Sequence, residues 1–365
     1  MTEMKWTVLS TGLAFFSMFF GSGNLVFPIL VGQESGVFAF YASLGIVLTG
    51  VLMPFLGTFG MMLYDGNVGQ FFRFFGKTGT LLLSFILLGL MGPFGVLARC
   101  LTVMHGALEL LFGKLPLAET CFFLCAFTFV LCLRKARILS TIGTWLTPFL
   151  VGLLALIAYF GFTDAKALPE VTKSPQEAFS TGFFQGYQLM DLLASFFFSS
   201  FVITRLKEQG SSLRTFFASS CIGMGLLSLV YIALVFLGAF YGKECAGHAP
   251  HELLGVITKA TLGEYAALCV GVTMLLACLT TAMALTTLFS EFLQKEVFRE
   301  KVPLSVSLVL TLAIGFFVST FEFSGIAKFL GPIVEMLYPV LILLTVVNIV
   351  LKLYEPSLQS TRQKE

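Results

Sequence analysis

Residues Phe19–Pro28 read FFGSGNLVFP and interrupt an apolar run that extends from near Trp6 to near Leu30. Gly21 and Gly23 allow backbone geometry that other residues resist. Ser22 and Asn24 add small polar side chains. A helix unwound here frees N–H groups at a positive helix end and C=O groups, near Phe20, at a negative one. The first suit a carboxylate and the second a cation. The competing reading is that these glycines mark close helix packing. A second polar pair lies far along the chain, in Cys278-Leu279-Thr280-Thr281. Hard cations take oxygen ligands. The adjacent hydroxyls of Thr280 and Thr281 can share one if their helix turns them towards the first interruption. Alternatively, Thr hydroxyls in apolar helices bond the carbonyl of the preceding turn, which is the expectation for Thr286 and Thr287.

Arg99, Asp191 and Glu335 lie inside or close to apolar runs. Charges there are expensive and face a partner or a watery path. Arg99 paired with Asp191 or Glu335 is the expected arrangement, as a lock on the fold or a gate. His105 and Glu109 share a helix face at i, i+4 spacing, and His248 and His251 read as surface residues. The eight cysteines form no disulfide framework, because only Cys245 sits in a polar loop. Cys121 and Cys125 read as core. No HExxH motif, no span with two acids at catalytic spacing and no phosphate-binding loop is present. These absences argue against a membrane-embedded enzyme and a nucleotide-driven pump. A channel filter repeated about an axis is not seen either.

The elements that must position these residues are membrane helices. Of the 365 residues 57% are hydrophobic and 12% charged, at a mean hydropathy of +0.93, whereas a soluble domain carries about 25% charged residues. Ten apolar runs reach spanning length, near 7–31, 36–63, 79–111, 116–133, 138–161, 183–204, 214–241, 263–290, 302–320 and 326–353. The first is too long for a cleavable signal and lacks a small-residue cleavage site. Fifteen of the 22 Lys and Arg fall on the side of the N-terminus and six on the other, with Arg99 inside a span. This bias puts both termini in the cytoplasm. No basic run invites nucleic acid, and no obligate protein partner is implied. Ser17–Ser22 (SMFFGS) is echoed 178 residues later by Ser195–Ser200 (SFFFSS). Five spans precede the second motif and five begin with it, so the halves have opposite orientation. The predicted fold is therefore an all-α bundle of about ten helices in a 5+5 inverted repeat, with the first and sixth helices discontinuous.

Four segments carry a family resemblance: Gly12–Pro28 (GLAFFSMFFGSGNLVFP), Gly92–Glu109 (GPFGVLARCLTVMHGALE), Gly186–Ile203 (GYQLMDLLASFFFSSFVI) and Leu276–Phe292 (LACLTTAMALTTLFSEF). They resemble the branched-chain amino acid:cation symporters, the BrnQ-like family, along nearly the whole chain. The resemblance implies a LeuT-like fold and import of leucine, isoleucine or valine with Na+ or H+, at a bacterial-type inner membrane. Another apolar cargo, such as methionine, is the near alternative. No cofactor beyond the coupling ion is implied. The resemblance places a sodium ion between the first and eighth spans, at Thr280 and Thr281 beside Cys278, with backbone carbonyls near Phe20 and Gly23. The substrate carboxylate would meet the amides of Gly21, Ser22, Gly23 and Asn24. Its ammonium would meet carbonyls near Phe20 and those freed from Ala194 and Ser195 to Phe198, with Phe197 and Phe198 walling the side chain. Residues 1–161 form the first repeat, 162–182 an outer connector, 183–353 the second repeat and 354–365 a cytoplasmic tail. Two departures stand out. Family members usually carry about two further C-terminal spans, which affects oligomer contacts rather than the repeat. Ala98 stands where the family often has Pro before the arginine, which leaves the local bend open.

Overall fold

The computed structural model describes residues 2–133, 147–165, 167–263 and 266–362, and every regular element among them is helical. Arg134, Lys135 and Arg137, the start of the fifth run (138–146), Lys166 and Lys364 lie outside the described residues. The helices that matter here are α1 (Thr2–Phe19), α2 (Ser22–Ser35), α3 (Ala39–Val47), α4 (Met53–Leu63), α5 (Gly76–Met91), α6 (Val96–Phe112), α7 (Leu117–Cys132), α8 (Thr147–Thr163), α9 (Pro175–Gln188), α10 (Asp191–Glu208), α11 (Leu213–Phe240), α12 (Leu253–Leu262), α13 (Ala266–Phe292), α14 (Leu304–Ser319) and α15 (Glu322–Arg362).

By length and composition, five helical stretches among the described residues can cross a membrane: Ser22–Leu63, Arg73–Phe112, Leu213–Phe240, Leu268–Val297 and Glu322–Tyr354. The bent pair α9–α10 makes a sixth, and α7, α8 and α14 are shorter apolar helices. The 42 residues of Ser22–Leu63 would measure roughly 60 Å as one rod, twice the hydrocarbon thickness. The chain turns inside it at Gly36, whose φ is +46°, and α2 packs against α3. Large apolar side chains such as Phe122, Phe123 and Phe127 on α7 and Phe329, Met336 and Leu343 on α15 are exposed. They form the surface that a bilayer covers, and the chain is an integral membrane protein. The third run is interrupted at Gly92–Gly95, around Pro93, so the bend left open at Ala98 falls just before α6 begins.

Each of two broken helices is held against an unbroken neighbour. The pair α1–α2 runs along α11, and α9–α10 runs along α3 and α4. Glycine brings the backbones together in both places. A Cβ on Gly238 of α11 would overlap the Ile29 carbonyl of α2, and one on Gly182 of α9 would overlap the Ala42 carbonyl of α3. In lipid, such dispersion contact replaces the hydrophobic force as the driver of helix association. Gly238→Ala should therefore cost about 1–3 kcal/mol through overpacking. The expected readout is an earlier thermal transition of the detergent-purified protein; an unchanged transition would mean that α2 and α11 can separate freely.

Candidate substrate and cation site

α1 closes where the Phe20 N–H donates to the Phe16 carbonyl at 2.8 Å. Gly21 is extended, at φ −117° and ψ −154°, and starts α2. The Asn24 side chain then folds back, its Oδ1 accepting the Gly21 N–H at 3.1 Å. That is the reaching-back half of a capping box, supplied from the third helical position. Four residues on, Pro28 has no N–H for the helix bond to the Asn24 carbonyl, so that carbonyl is open as an acceptor. The interruption is thus a true break, but it lies at Phe20–Gly21, with Ser22, Gly23 and Asn24 in the first turn of α2, and the Gly21 amide is occupied by Asn24 and not free for a ligand.

The second break differs from the sequence expectation. It lies at Leu189–Met190, where Met190 takes a left-handed φ of +62°, and the chain bends by 42°. Asp191, expected just before the break, is the first residue of α10. Ala194 to Phe198 are helical, and the Ala194 N–H donates to the Met190 carbonyl at 3.1 Å. Their carbonyls are not freed, because Ala-Ser-Phe-Phe-Phe contains no helix breaker. Ser195 donates to the Leu192 carbonyl at 2.7 Å and turns towards Gly57 of α4. Phe198 packs edge-on against Phe19 at 5.2 Å.

The two breaks meet. A Cβ on Gly23 would lie 3.7 Å from the Leu189 Cα. Asn24 donates its amide to Asp191 Oδ2 at 2.8 Å and to the Tyr231 hydroxyl of α11. Tyr231 donates to the same Asp191 oxygen at 2.6 Å. The Leu192 N–H, in the first turn of α10, donates to the Tyr338 hydroxyl of α15 at 3.3 Å. Sequence reasoning missed Tyr231 and Tyr338. Their one signal was a phenol in mid-span, where a hydroxyl needs a partner.

On the other side of the first break, the hydroxyls of Thr280 and Thr281 both reach the Ser17 carbonyl, each at 3.2 Å. This carbonyl belongs to the last turn of α1, the negative end of that helix. A Cβ on Gly21 would come within 2.9 Å of Thr281 Cγ2, so glycine is what lets the break close on α13. Ser17, read from the sequence only as the start of the SMFFGS echo, is the residue whose carbonyl meets both threonines. Cys278 neighbours Cys100 of α6 instead; Cys100 in turn lies 3.6 Å from the Ser22 hydroxyl. Thr287 bonds the Met283 carbonyl of the preceding turn at 2.8 Å, as expected. The Thr286 hydroxyl is buried with no partner among the described residues.

Arg99 is 1% exposed but is not ion-paired with Asp191 or Glu335 among the described residues. It donates Nη1 to the Gln188 carbonyl at 3.1 Å and Nη2 to Met190 Sδ at 3.7 Å. Its guanidinium lies over the rings of Phe27 and Phe323. Glu335 is exposed, so it carries little of the desolvation cost that would demand a buried partner. His105 and Glu109 do approach, at 3.5 Å.

The model of the family described as branched-chain amino acid transport protein matches residues 4–363. The chain belongs to this family. A Staphylococcus epidermidis protein provisionally named a branched-chain amino acid carrier is 28% identical, across 96% of this chain and 82% of its own length. A Staphylococcus aureus protein of the same provisional name is 26% identical, across 100% and 85%. Among solved structures, Mhp1, a nucleobase-cation-symport-1 family transporter, superposes with a TM-score of 0.61 at 13% identity, covering 92% of this chain and 77% of that one. A manganese transporter of Eremococcus coleocola gives 0.62 at 14% identity, over 95% and 87%. The fold is LeuT-like. Among the described residues no cluster of three His, Cys, Asp or Glu side chains could hold a metal.

Two cavities open along the broken helices of this family member, the first of them beside the breaks. One, of about 570 Å³, has Phe27 and Gln188 beside the breaks and Glu34, Glu177 and Glu335 further out. Lys173 bridges to Glu34 beside it at 2.8 Å. The other, of about 300 Å³, is lined by Phe197, Ser200 and Phe201 of α10, Ser84 of α5 and Leu288 of α13. Phe197 thus faces the second cavity, whereas Phe198 is packed against α1.

Proposed function

We propose that this chain imports leucine, isoleucine or valine together with sodium, by alternating access across the bacterial inner membrane. The observation that carries this reading is the convergence of the Thr280 and Thr281 hydroxyls on the Ser17 carbonyl, beside a break that touches a second break. A sodium ion seated among these three oxygens, with the Phe20 carbonyl at the end of α1, would tie α1 to α13. It would also hold Gly21–Asn24 in the shape that receives substrate. The Ser22 hydroxyl, the Asn24 carbonyl and the first turn of α10, including Ala194, surround the amino acid, and Phe197 closes the side away from Arg99. Substrate closure would then shut the larger cavity and open the smaller one.

In this reading residues 1–161 and 183–353 are two five-helix repeats of opposite orientation. Residues 162–182, of which 175–182 already belong to α9, connect them outside, and both termini, including the 354–365 tail, are cytoplasmic. The matched positions of the two breaks, near the start of each half, support it. Coupling is reciprocal: sodium tightens leucine binding by the same factor that leucine tightens sodium binding.

The test is labelled leucine uptake into proteoliposomes under a sodium gradient or a proton gradient, with competition by valine, methionine and lysine. Sodium-driven uptake blocked by valine but not lysine is expected. Uptake driven by protons alone would remove the ion from Thr280 and Thr281. Stronger competition by methionine than by valine would change the cargo. No concentrative uptake by folded protein would overturn the reading.

A further inference from the structure

Two buried charges of opposite sign stand at the second break, and neither has an ionic partner among the described residues. Arg99 is held by the Gln188 carbonyl and Met190 Sδ, and Asp191 is the next residue of the chain. Arg99 is 1% exposed and Asp191 2%. An uncompensated charge in such a place costs several kcal/mol, and in a membrane it marks a functional contact.

Their hydrogen bonding is incomplete on a consistent side. Both donors to Asp191, Asn24 and Tyr231, fall on Oδ2, which leaves Oδ1 open. Arg99 Nε is buried and without a partner, as is Gln188 Oε1. Asn24 and Tyr231 therefore aim the carboxylate, and the Gln188 carbonyl and the Phe27 and Phe323 rings aim the guanidinium. Gln188 and Phe27 also line the larger cavity, so a solute entering there arrives beside Arg99.

We infer that Arg99 and Asp191 grip the two ends of a zwitterion, the guanidinium taking the α-carboxylate and Asp191 Oδ1 the α-ammonium. The inference rests on the amino acid reading above and deepens it by naming the recognition groups. It replaces a fixed salt bridge with a pair completed by the cargo itself. The bound α-amino acid compensates both buried charges at once. An amine or a carboxylic acid compensates one and leaves the other bare, so each binds measurably but more weakly than the amino acid. The guanidinium fork matches a carboxylate bidentately, and Gln188 Oε1 offers a further acceptor to the ammonium.

The experiment measures binding of leucine, 3-methylbutan-1-amine (leucine without its carboxylate) and 4-methylpentanoate (leucine without its ammonium) to the full chain in detergent. Arg99→Gln should weaken leucine about 10- to 100-fold, the value of a hydrogen-bonded charge, and leave the amine unchanged. Asp191→Asn should weaken leucine by a similar factor and leave the acid unchanged. Arg99→Lys keeps the charge without the fork and should fall between. If Arg99→Gln does not fold, Asp191→Asn carries the test, since its carboxamide oxygen can still accept from Asn24 and Tyr231. Parallel loss of all three ligands in the variants, or less than a threefold change for leucine, would overturn the grip while leaving leucine transport standing. If the wild-type chain binds no leucine but binds another α-amino acid, the cargo assignment fails. The same end-specific pattern is then read with that amino acid and its two analogues.

Discussion

Asn24→Ala should reduce uptake by at least about 100-fold and destabilise the protein by about 3–5 kcal/mol, the cost of breaking a buried charged contact from one side. The side chain does three things at once. It caps the Gly21 N–H, donates to Asp191 Oδ2 and donates to the Tyr231 hydroxyl. Alanine leaves a buried amide unsatisfied at the start of α2 and removes one of the two donors that fix the Asp191 carboxylate. The Asp191 carboxylate is then held by Tyr231 alone, and the hydrogen bonds that tie the first break to Asp191 and Tyr231 are gone. Uptake into proteoliposomes and a thermal melt of the same preparation would measure both effects. Wild-type uptake with an unchanged melt would show that the two breaks are held together by something other than this triad. Tyr231→Phe, which removes the donor to Asp191 and the acceptor of one Asn24 amide hydrogen but leaves the Gly21 cap and the Asn24–Asp191 bond, provides the milder comparison, at about 1–3 kcal/mol.

The second large effect concerns the cation. Replacing Thr280 and Thr281 together by valine keeps the shape of both side chains and removes both hydroxyls from the Ser17 carbonyl. Losing a contact to a charged group costs about 1.5–3 kcal/mol, and every 1.4 kcal/mol is tenfold in affinity. The sodium concentration for half-maximal uptake should therefore rise about 10- to 100-fold, with the order of preference among leucine, valine and methionine preserved. Thr287→Val is the control, because its hydroxyl bonds only its own helix. An unchanged sodium requirement in the double variant would place the ion elsewhere, and an equal shift in the control would mean that the effect is general to α13.

The parts of the site that sequence made legible are those whose chemistry is local. Gly21-Ser22-Gly23-Asn24 announces a break because two glycines and two short polar side chains fall together in mid-span, with Pro28 following. Thr280-Thr281 announces a polar face. Arg99 and Asp191 announce themselves by cost. The second break was placed one to two turns too far along, at Ala194–Phe198. Leu189-Met190 has no glycine or proline, and the chain turns there only because its surroundings demand it. Partner choice was equally opaque. Opposite charges in neighbouring spans invite pairing, but whether they meet is decided by where Asn24, Tyr231, Gln188 and Phe27 sit, and those contacts span up to 207 residues of sequence. The all-helical membrane class was legible from composition alone. The boundary between the runs 7–31 and 36–63 was legible too, and the chain turns there at Gly36.

The two breaks also differ in where their instructions are written. The first is spelled out in its own four letters. The second depends on a methionine in a conformation that costs roughly 1–2 kcal/mol, so its upkeep falls to other helices. Gly50 makes room for Leu189 and Gly186 for Thr49, Tyr338 holds the Leu192 amide, and Arg99 holds Gln188 and Met190. A lineage could thus lose the second joint through a change at residue 50, 99 or 338 while the text around residue 190 stayed intact. The heritable information for this joint is distributed, and a reader comparing only local motifs would pass over its loss.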